Sequence, residues 1–507
     1  MNRTDLRDVI VVMGSLLLSM VTGFLRQTTL AFLIGAGRAT DIFLVAYAVP
    51  EFIYVAIPIV LTPALIPIFM QIKTEDGDAA AWGWSRNLIL RVTLILVAGA
   101  VLIGIFAPII IRLLSPGFSE AERATTQQLL FAMLPAIVLM GLSALVGSIL
   151  QVYRKFARPA LTSAVFNALF IAGMFLLPIS EPLQRTGWSV TLASLGALIF
   201  QLPLYFKLKA QFADGPSTRA YELSSAFKLM GWMTAGYAIH HLILFIDRAM
   251  ATNLGEGAAA VLNFGYHLAL TAGQIAGMAV SFVVFPTMAE AMRNNDREET
   301  VRTLRSALGV VLAIAIPAVL GMILFREEIV TILLEHGAFT RESTVEVSST
   351  LLIYSIAVLF DSLCQPLWRL VYAARDGKSV VLVNGAQTAI RIIANLILVS
   401  LIGYQGIAWS AVIGLGVQLF LLLRLSKNLV QFKLDSVAIK MTIRLLAIGI
   451  ISAVIALIVK GGIAKVITPA PRLLTLTAGG VVLLGMYALL VKPLYKNVSW
   501  TRRSSNE

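Results

Sequence analysis

An all-α polytopic membrane protein is the fold class this sequence predicts, and three observations predict it. Of 507 residues, 58% are hydrophobic and only 13% charged, a balance that belongs to membrane chains rather than soluble domains. Apolar runs of about twenty residues, the length that crosses hydrocarbon as a helix, recur from end to end. Lys and Arg fall in the short connections between the runs, so the net charge of +13 reads as a topology signal and not as a nucleic-acid face.

Fourteen spans follow, at 9–35, 41–72, 85–114, 124–152, 158–178, 187–208, 226–252, 258–287, 302–325, 346–373, 379–402, 405–425, 437–460 and 470–491. The first run is too long for the apolar region of a signal peptide and is expected to stay as a helix. With the N-terminus inside, twenty-seven of the 40 Lys and Arg fall on the cytoplasmic side and nine opposite. Both termini are therefore expected in the cytoplasm.

The segment 20–72 is the most informative. It carries Arg26, a break at Gly35–Asp41, and then Glu51 among Pro50, Pro58, Pro63 and Pro67. Charges at bilayer depth are tolerated where they face protein or a watery cavity, and prolines where neighbours satisfy the freed carbonyls. This hairpin is expected to line an interior site. A weak internal repeat supports a second such site: Tyr153 and Tyr372 are 219 apart, as are Pro67 and Pro286, and Arg26 and Arg248 are each followed nine residues on by glycine, Gly35 and Gly257. Chance is the competing explanation. The repeat divides the chain into lobes at 1–217 and 218–432, with 433–507 appended as two helices and a cytoplasmic tail. Repeated halves with polar residues at matching depth suit alternating access.

The candidate substrate-binding residues are Arg26, Asp41, Glu51, Arg248 and His267; the candidate proton-coupling residues are His240 and His241. Arg26 has the fork geometry that grips phosphate oxygens, with interhelical glue as the bland alternative. Asp41, near a helix start, suits an N-cap as well as a ligand. Asp247 and Arg248 point about 100° apart and are expected to find separate partners. The histidines could couple transport to protons or merely hydrogen-bond between helices. Asp361 and Arg391 form a further possible pair. The single cysteine, Cys364, and four histidines give no metal-ligand spacing. No phosphate-binding loop or nucleophile elbow appears either, so no enzyme is predicted, no cofactor is called for, and energy would come from an ion gradient, the membrane potential or the substrate's own gradient, unless a separate ATPase is involved.

Gly23-Phe24-Leu25-Arg26, Gly35 to Asp41, Phe245-Ile246-Asp247-Arg248, Leu334-Glu335-His336-Gly337-Ala338-Phe339-Thr340 and Tyr372 to Asp376 together resemble the MurJ/MviN family of lipid II flippases, within the multidrug/oligosaccharidyl-lipid/polysaccharide exporter superfamily. The resemblance spans the chain, and Glu335 to Thr340 is similar to the family's Glu-Arg-Gly-Ala-Phe-Thr element. It implies two six-helix lobes about a cationic cavity, a tail groove by helices 13 and 14, and flipping of a polyprenyl-pyrophosphate-linked saccharide across the bacterial inner membrane, with cell-wall synthesis enzymes as candidate partners. It also implies a sodium site, for which Asp247 and Asp376 are the candidates. Arg26 and Asp41 fall on family motif positions. Three motifs depart: Ser19-Met20 stands where Ser-Arg is frequent, Ile53-Tyr54 replaces a basic pair, and His267 replaces an arginine. Those changes leave an O-antigen or exopolysaccharide unit open as the substrate. A cation-coupled multidrug exporter would want an acidic, aromatic cavity, and a membrane glycosyltransferase an essential carboxylate in the outer loop at 326–345.

Overall fold

Gly77 turns one long helical stretch into two antiparallel arms. The computed structural model describes residues 3–212, 241–374, 376–432, 436–466 and 471–496. After α1 (Arg3–Ile34), helix α2 runs over Arg38–Leu114, broken only at Gly77, where φ is 87° and ψ 172°. The Phe69 and Trp82 rings lie 6.2 Å apart, whereas thirteen residues of straight helix would separate them by roughly 20 Å. The chain therefore doubles back, and its arms are the spans expected at 41–72 and 85–114. Around the reversal, Lys73 Nζ lies 3.1 Å from Asp78 and 4.0 Å over the Tyr153 ring. The Tyr153 hydroxyl donates to Asp78 at 2.6 Å. A Cβ at position 77 would meet open space, so Gly77→Ala is expected to cost only the positive-φ extended backbone, a region nearly confined to glycine, about 1–3 kcal/mol. A small drop in melting temperature in detergent, with the fold retained, checks this.

The other elements of the first unit are α3 (Glu120–Val152), α4 (Ala157–Leu176), α5 (Pro182–Lys209) and α6 (241–252). Helix α3 starts in a capping box, Ser119 with Glu122, which satisfies two orphan amide donors at once. Pro182 opens α5, where its missing N–H costs nothing. Then follow α7 (Ala258–Arg293), α8 (Arg297–Leu324), α9 (Arg326–Leu334), α10 (Arg341–Ala373), α11 (Gly377–Ile402), α12 (Gln405–Val430), α13 (Ser436–Val466) and α14 (Arg472–Lys496). Polar caps at Asp296, Thr340 and Asp376 start α8, α10 and α11. No strand occurs among the described residues.

Twelve stretches are long and apolar enough to cross a membrane among the described residues. The stretch 326–345, expected as an outer loop, contains α9, whose Val330 and Leu334 are buried. Nine residues with two buried apolar positions one turn apart are too short to stand out as a span, so periodicity did not reveal them.

The chain forms two compact units, Met1–Ala260 and Val261–Glu507. Bonds from α2 to residues 248–260, described below, tie that segment into the first unit. Phe69, Ile72, Trp82, Leu145 and Ile149 form part of its core. In the second unit, Leu304, Cys364, Leu367 and Leu422 pack together. Helices α13 and α14 dock on α8 through Leu445 and Tyr487 against Ile316, and through Ala456 and Leu483 against Phe325. Large apolar side chains such as Leu113, Leu401 and Val481 are about 70% exposed, the outward surface a lipid-embedded chain presents.

Candidate functional site

The first arm of α2 builds the site by its spacing. Tyr47, Glu51 and Tyr54 recur at four and three residues, so they share one helix face. Arg26 of α1 lies 5.7 Å from the Phe170 ring and donates to the buried Tyr47 hydroxyl, which is also within electrostatic reach of Glu51 and Tyr54. Glu51 in turn accepts from Arg248 Nη2 of α6 at 2.6 Å, with the two side chains 23% and 8% exposed. Arg26 and Arg248 thus each meet a polar group, Tyr47 and Glu51, on one face of α2. Arg248 Nη1 is buried and has no hydrogen-bond partner among the described residues, which leaves half of a guanidinium fork able to receive another acceptor. Phe52 walls the same stretch, its ring 6.3 Å from His241 and 5.7 Å from Phe245.

Asp41 sits elsewhere in this unit. It is fully buried, and its two oxygens accept from the amides of Gly257 at 2.7 Å and Ala260 at 2.8 Å. Those amides belong to the start of α7, so Asp41 acts as a cap, though not of its own helix. Arg38 lies 3.8 Å from Asp41 and 3.0 Å from Glu122.

The remaining predicted residues are dispersed. His267, partly buried on α7, belongs to the second unit, with its ring 5.7 Å from Tyr266. Asp247 is partly buried beside Arg248. Asp376 caps α11 through Ser379, whose hydroxyl and amide hold its carboxyl below the usual range. Asp361 accepts from Gln365 at 3.4 Å. His240 lies outside the described residues. No group of three or more His, Cys, Asp or Glu is placed to hold a metal ion among the described residues.

Two groups of residues escaped sequence reasoning. Tyr47 and Tyr54 were visible at i, i+4 and i+7 with Glu51, but tyrosines in an apolar run are ordinarily core. Glu335 was read only as part of a motif. In the structure it accepts from the hydroxyls of Thr331 and Thr344, each at 2.8 Å, and from Arg472 at 3.1 Å, while Arg341 lies at 3.4 Å. Arg472 also bonds Thr331. One carboxylate thereby joins α9, α10 and α14. Burial would raise the Glu335 pKa, but hydrogen bonds from Thr344, Thr331 and Arg472 outweigh it and hold the group at about 2. Because the folded value lies below the ordinary 4.5, this stabilisation is complete above about pH 4.5 and is lost as pH falls towards 2. Glu335→Gln is expected to lower the melting temperature at pH 7 and to flatten its dependence on pH between those values; scans of both proteins in detergent decide this.

Long apolar helices in two units, with a buried guanidinium–carboxylate pair inside the first, define a multi-pass membrane protein with a charged interior. The particular family is shown by comparison: a family model described as "Lipid II flippase MurJ" matches residues 30–469, and the chain belongs to the MurJ family. A lipid II flippase MurJ of Burkholderia cenocepacia is 27% identical over 425 residues, covering 80% of this chain and 81% of that one. A probable lipid II flippase MurJ of Vibrio cholerae is 26% identical over 418 residues, covering 80% and 79%. The solved structure "Lipid II flippase MurJ, inward closed conformation" aligns with TM-score 0.77 at 22% identity, over 96% of this chain and all of that one. An inward-facing multidrug resistance MATE family transporter of the MOP superfamily aligns less well, with TM-score 0.65 at 13% identity over 83% of this chain and 98% of that one.

Proposed function

We propose that this protein is a lipid II flippase of the bacterial inner membrane, moving the polyprenyl-pyrophosphate-linked saccharide from the cytoplasmic to the outer leaflet by alternating access, with no bond made or broken. The observation that carries the reading is the family match over residues 30–469. The site supports it in kind. A pyrophosphate headgroup cannot cross hydrocarbon unaided, and Arg26 with Arg248 supplies guanidinium groups at membrane depth. Fourteen spans, two six-helix lobes plus α13 and α14, and two cytoplasmic termini complete the proposed topology. Arg26, Glu51 and Arg248 form the proposed headgroup set in the first unit, His267 is a separate candidate in the second unit, Asp41 holds the amides of Gly257 and Ala260, and Asp247 with His241 is assigned to coupling by sodium or protons. The cationic character of Arg26 and Arg248 favours this substrate over the cations of a drug exporter.

The test is replacement of the resident lipid II flippase in depleted cells. Sustained growth and externalised lipid II are expected; failure by a protein that is folded in the membrane would shift the substrate to another polyprenyl-linked saccharide. Within that assay Arg26→Ala, at matched expression, is expected to lower externalisation at least roughly tenfold, equivalent to about 1.4 kcal/mol. Near-normal transport would remove Arg26 from the site.

A further inference from the structure

A cavity of about 470 Å³ opens on the first unit where α2 ends and α3 begins, lined in part by Ile109, Arg112, Leu113, Glu120, Arg123 and Gln127. It shares no residue with the charged site above. One candidate span ends at Leu114 and the next begins at Glu120, so both walls pass from apolar to polar at this level, the depth of lipid headgroups. Ile105, Ile109 and Leu113, at successive intervals of four along α2, are 65%, 58% and 70% exposed. They form an apolar track leading away from the cavity into the hydrocarbon.

The two arginines differ in freedom. Arg123 is fixed: it donates to Ser115 O at 3.4 and 3.3 Å, to Pro116 O at 3.0 Å and to Glu120 at 2.7 Å. Arg112 meets Glu120 at 3.7 Å, too far for a hydrogen bond, and 71% of its side chain is exposed. Two guanidinium groups against one carboxylate leave one net positive charge at the mouth. A single phosphodiester would neutralise it and suits the guanidinium fork. A zwitterionic headgroup would leave that charge uncompensated, and its ammonium would compete with Arg123 for Glu120.

We propose that this cavity binds an anionic phospholipid with a hydroxylated headgroup, of the phosphatidylglycerol class, with its phosphodiester on Arg112 and one acyl chain along Ile105, Ile109 and Leu113. Gln127 and Glu120 offer hydrogen-bonding groups for the headgroup hydroxyls. The proposal is independent of what the protein transports.

The experiment is native mass spectrometry of the purified full chain after exchange into mixed micelles holding equal phosphatidylglycerol and phosphatidylethanolamine. Wild type is expected to retain the anionic lipid about fivefold over the zwitterionic one, the effect of roughly one basic contact. Arg112→Ala should bring the two near parity, and Arg112→Lys should retain part of the preference. Leu113→Gln should reduce retention of the anionic lipid through its chain. Should Arg112→Ala fold poorly, a salt titration of wild type replaces it: the preference should collapse near 0.5 M, where screening reaches within about 5 Å. Equal retention of both lipids by wild type, or a preference unchanged by Arg112→Ala or by salt, overturns the proposal. Displacement of the lipid by millimolar glycerol phosphate would make this a small-anion site and overturn it as well.

Discussion

Asp41→Ala is expected to destabilise the protein by about 3–5 kcal/mol, since hydrogen bonds to a charged acceptor contribute about 1.5–3 kcal/mol each and the substitution leaves two buried donors without their partner. The carboxylate is fully buried and accepts from Gly257 and Ala260 at 2.7 and 2.8 Å. Asp41→Asn would keep one accepting oxygen and turn an amide against the other N–H, so it should fall nearly as far. The seat itself can be challenged independently. Gly257 has φ +80°, and an added Cβ would stand 2.3 Å from the Ala36 carbonyl oxygen. Backbone cannot yield there as a flexible side chain would. Gly257→Ala should therefore reproduce the Asp41→Ala loss through strain rather than through charge. Thermal unfolding in detergent measures both, and an Asp41→Ala protein that melts like wild type would refute the cap.

The contrast between Asp41 and Glu51 shows where sequence reading reached its limit. That both lie in a span, and that neither is tolerated facing lipid, follows from burial energetics and required no structure. Partner choice did not follow. Asp41 is satisfied by backbone amides more than two hundred residues away, and an amide carries no side-chain signal at its position in the sequence. Glu51 is satisfied by Arg248, a residue the sequence did single out, but nothing in a one-dimensional pattern pairs those two rather than Arg26 with Glu51. The helices were legible because a period of 3.6 residues and a length of about twenty are local properties. Helix α9 was not, because a nine-residue amphipathic turn between charged residues resembles a loop. Glu335 illustrates the same divide: its motif was visible, while its role as the acceptor joining three helices depends on Arg472, far along the chain.

The Arg248–Glu51 pair is expected to separate stability from transport. Arg248 is 8% exposed and Glu51 23%, so removing Glu51 strands the more deeply buried charge. Glu51→Ala should cost about 3–5 kcal/mol, the range for breaking a buried pair, and Arg248→Ala less. The double variant should recover part of the loss, because no charge is then left without its partner; equal costs for both singles, with no recovery, would mean the contact contributes nothing specific. Transport should not follow the same order. If the free Nη1 of Arg248 receives a phosphate oxygen, the double variant stays inactive although it is stable, and the exchange Glu51→Arg with Arg248→Glu restores the melting temperature without restoring translocation. Arg248→Lys sharpens the distinction further: it keeps the charge near Glu51 but loses the second arm of the fork. A stable Arg248→Lys protein that still flips lipid at the wild-type rate would show that Arg248 serves the fold alone.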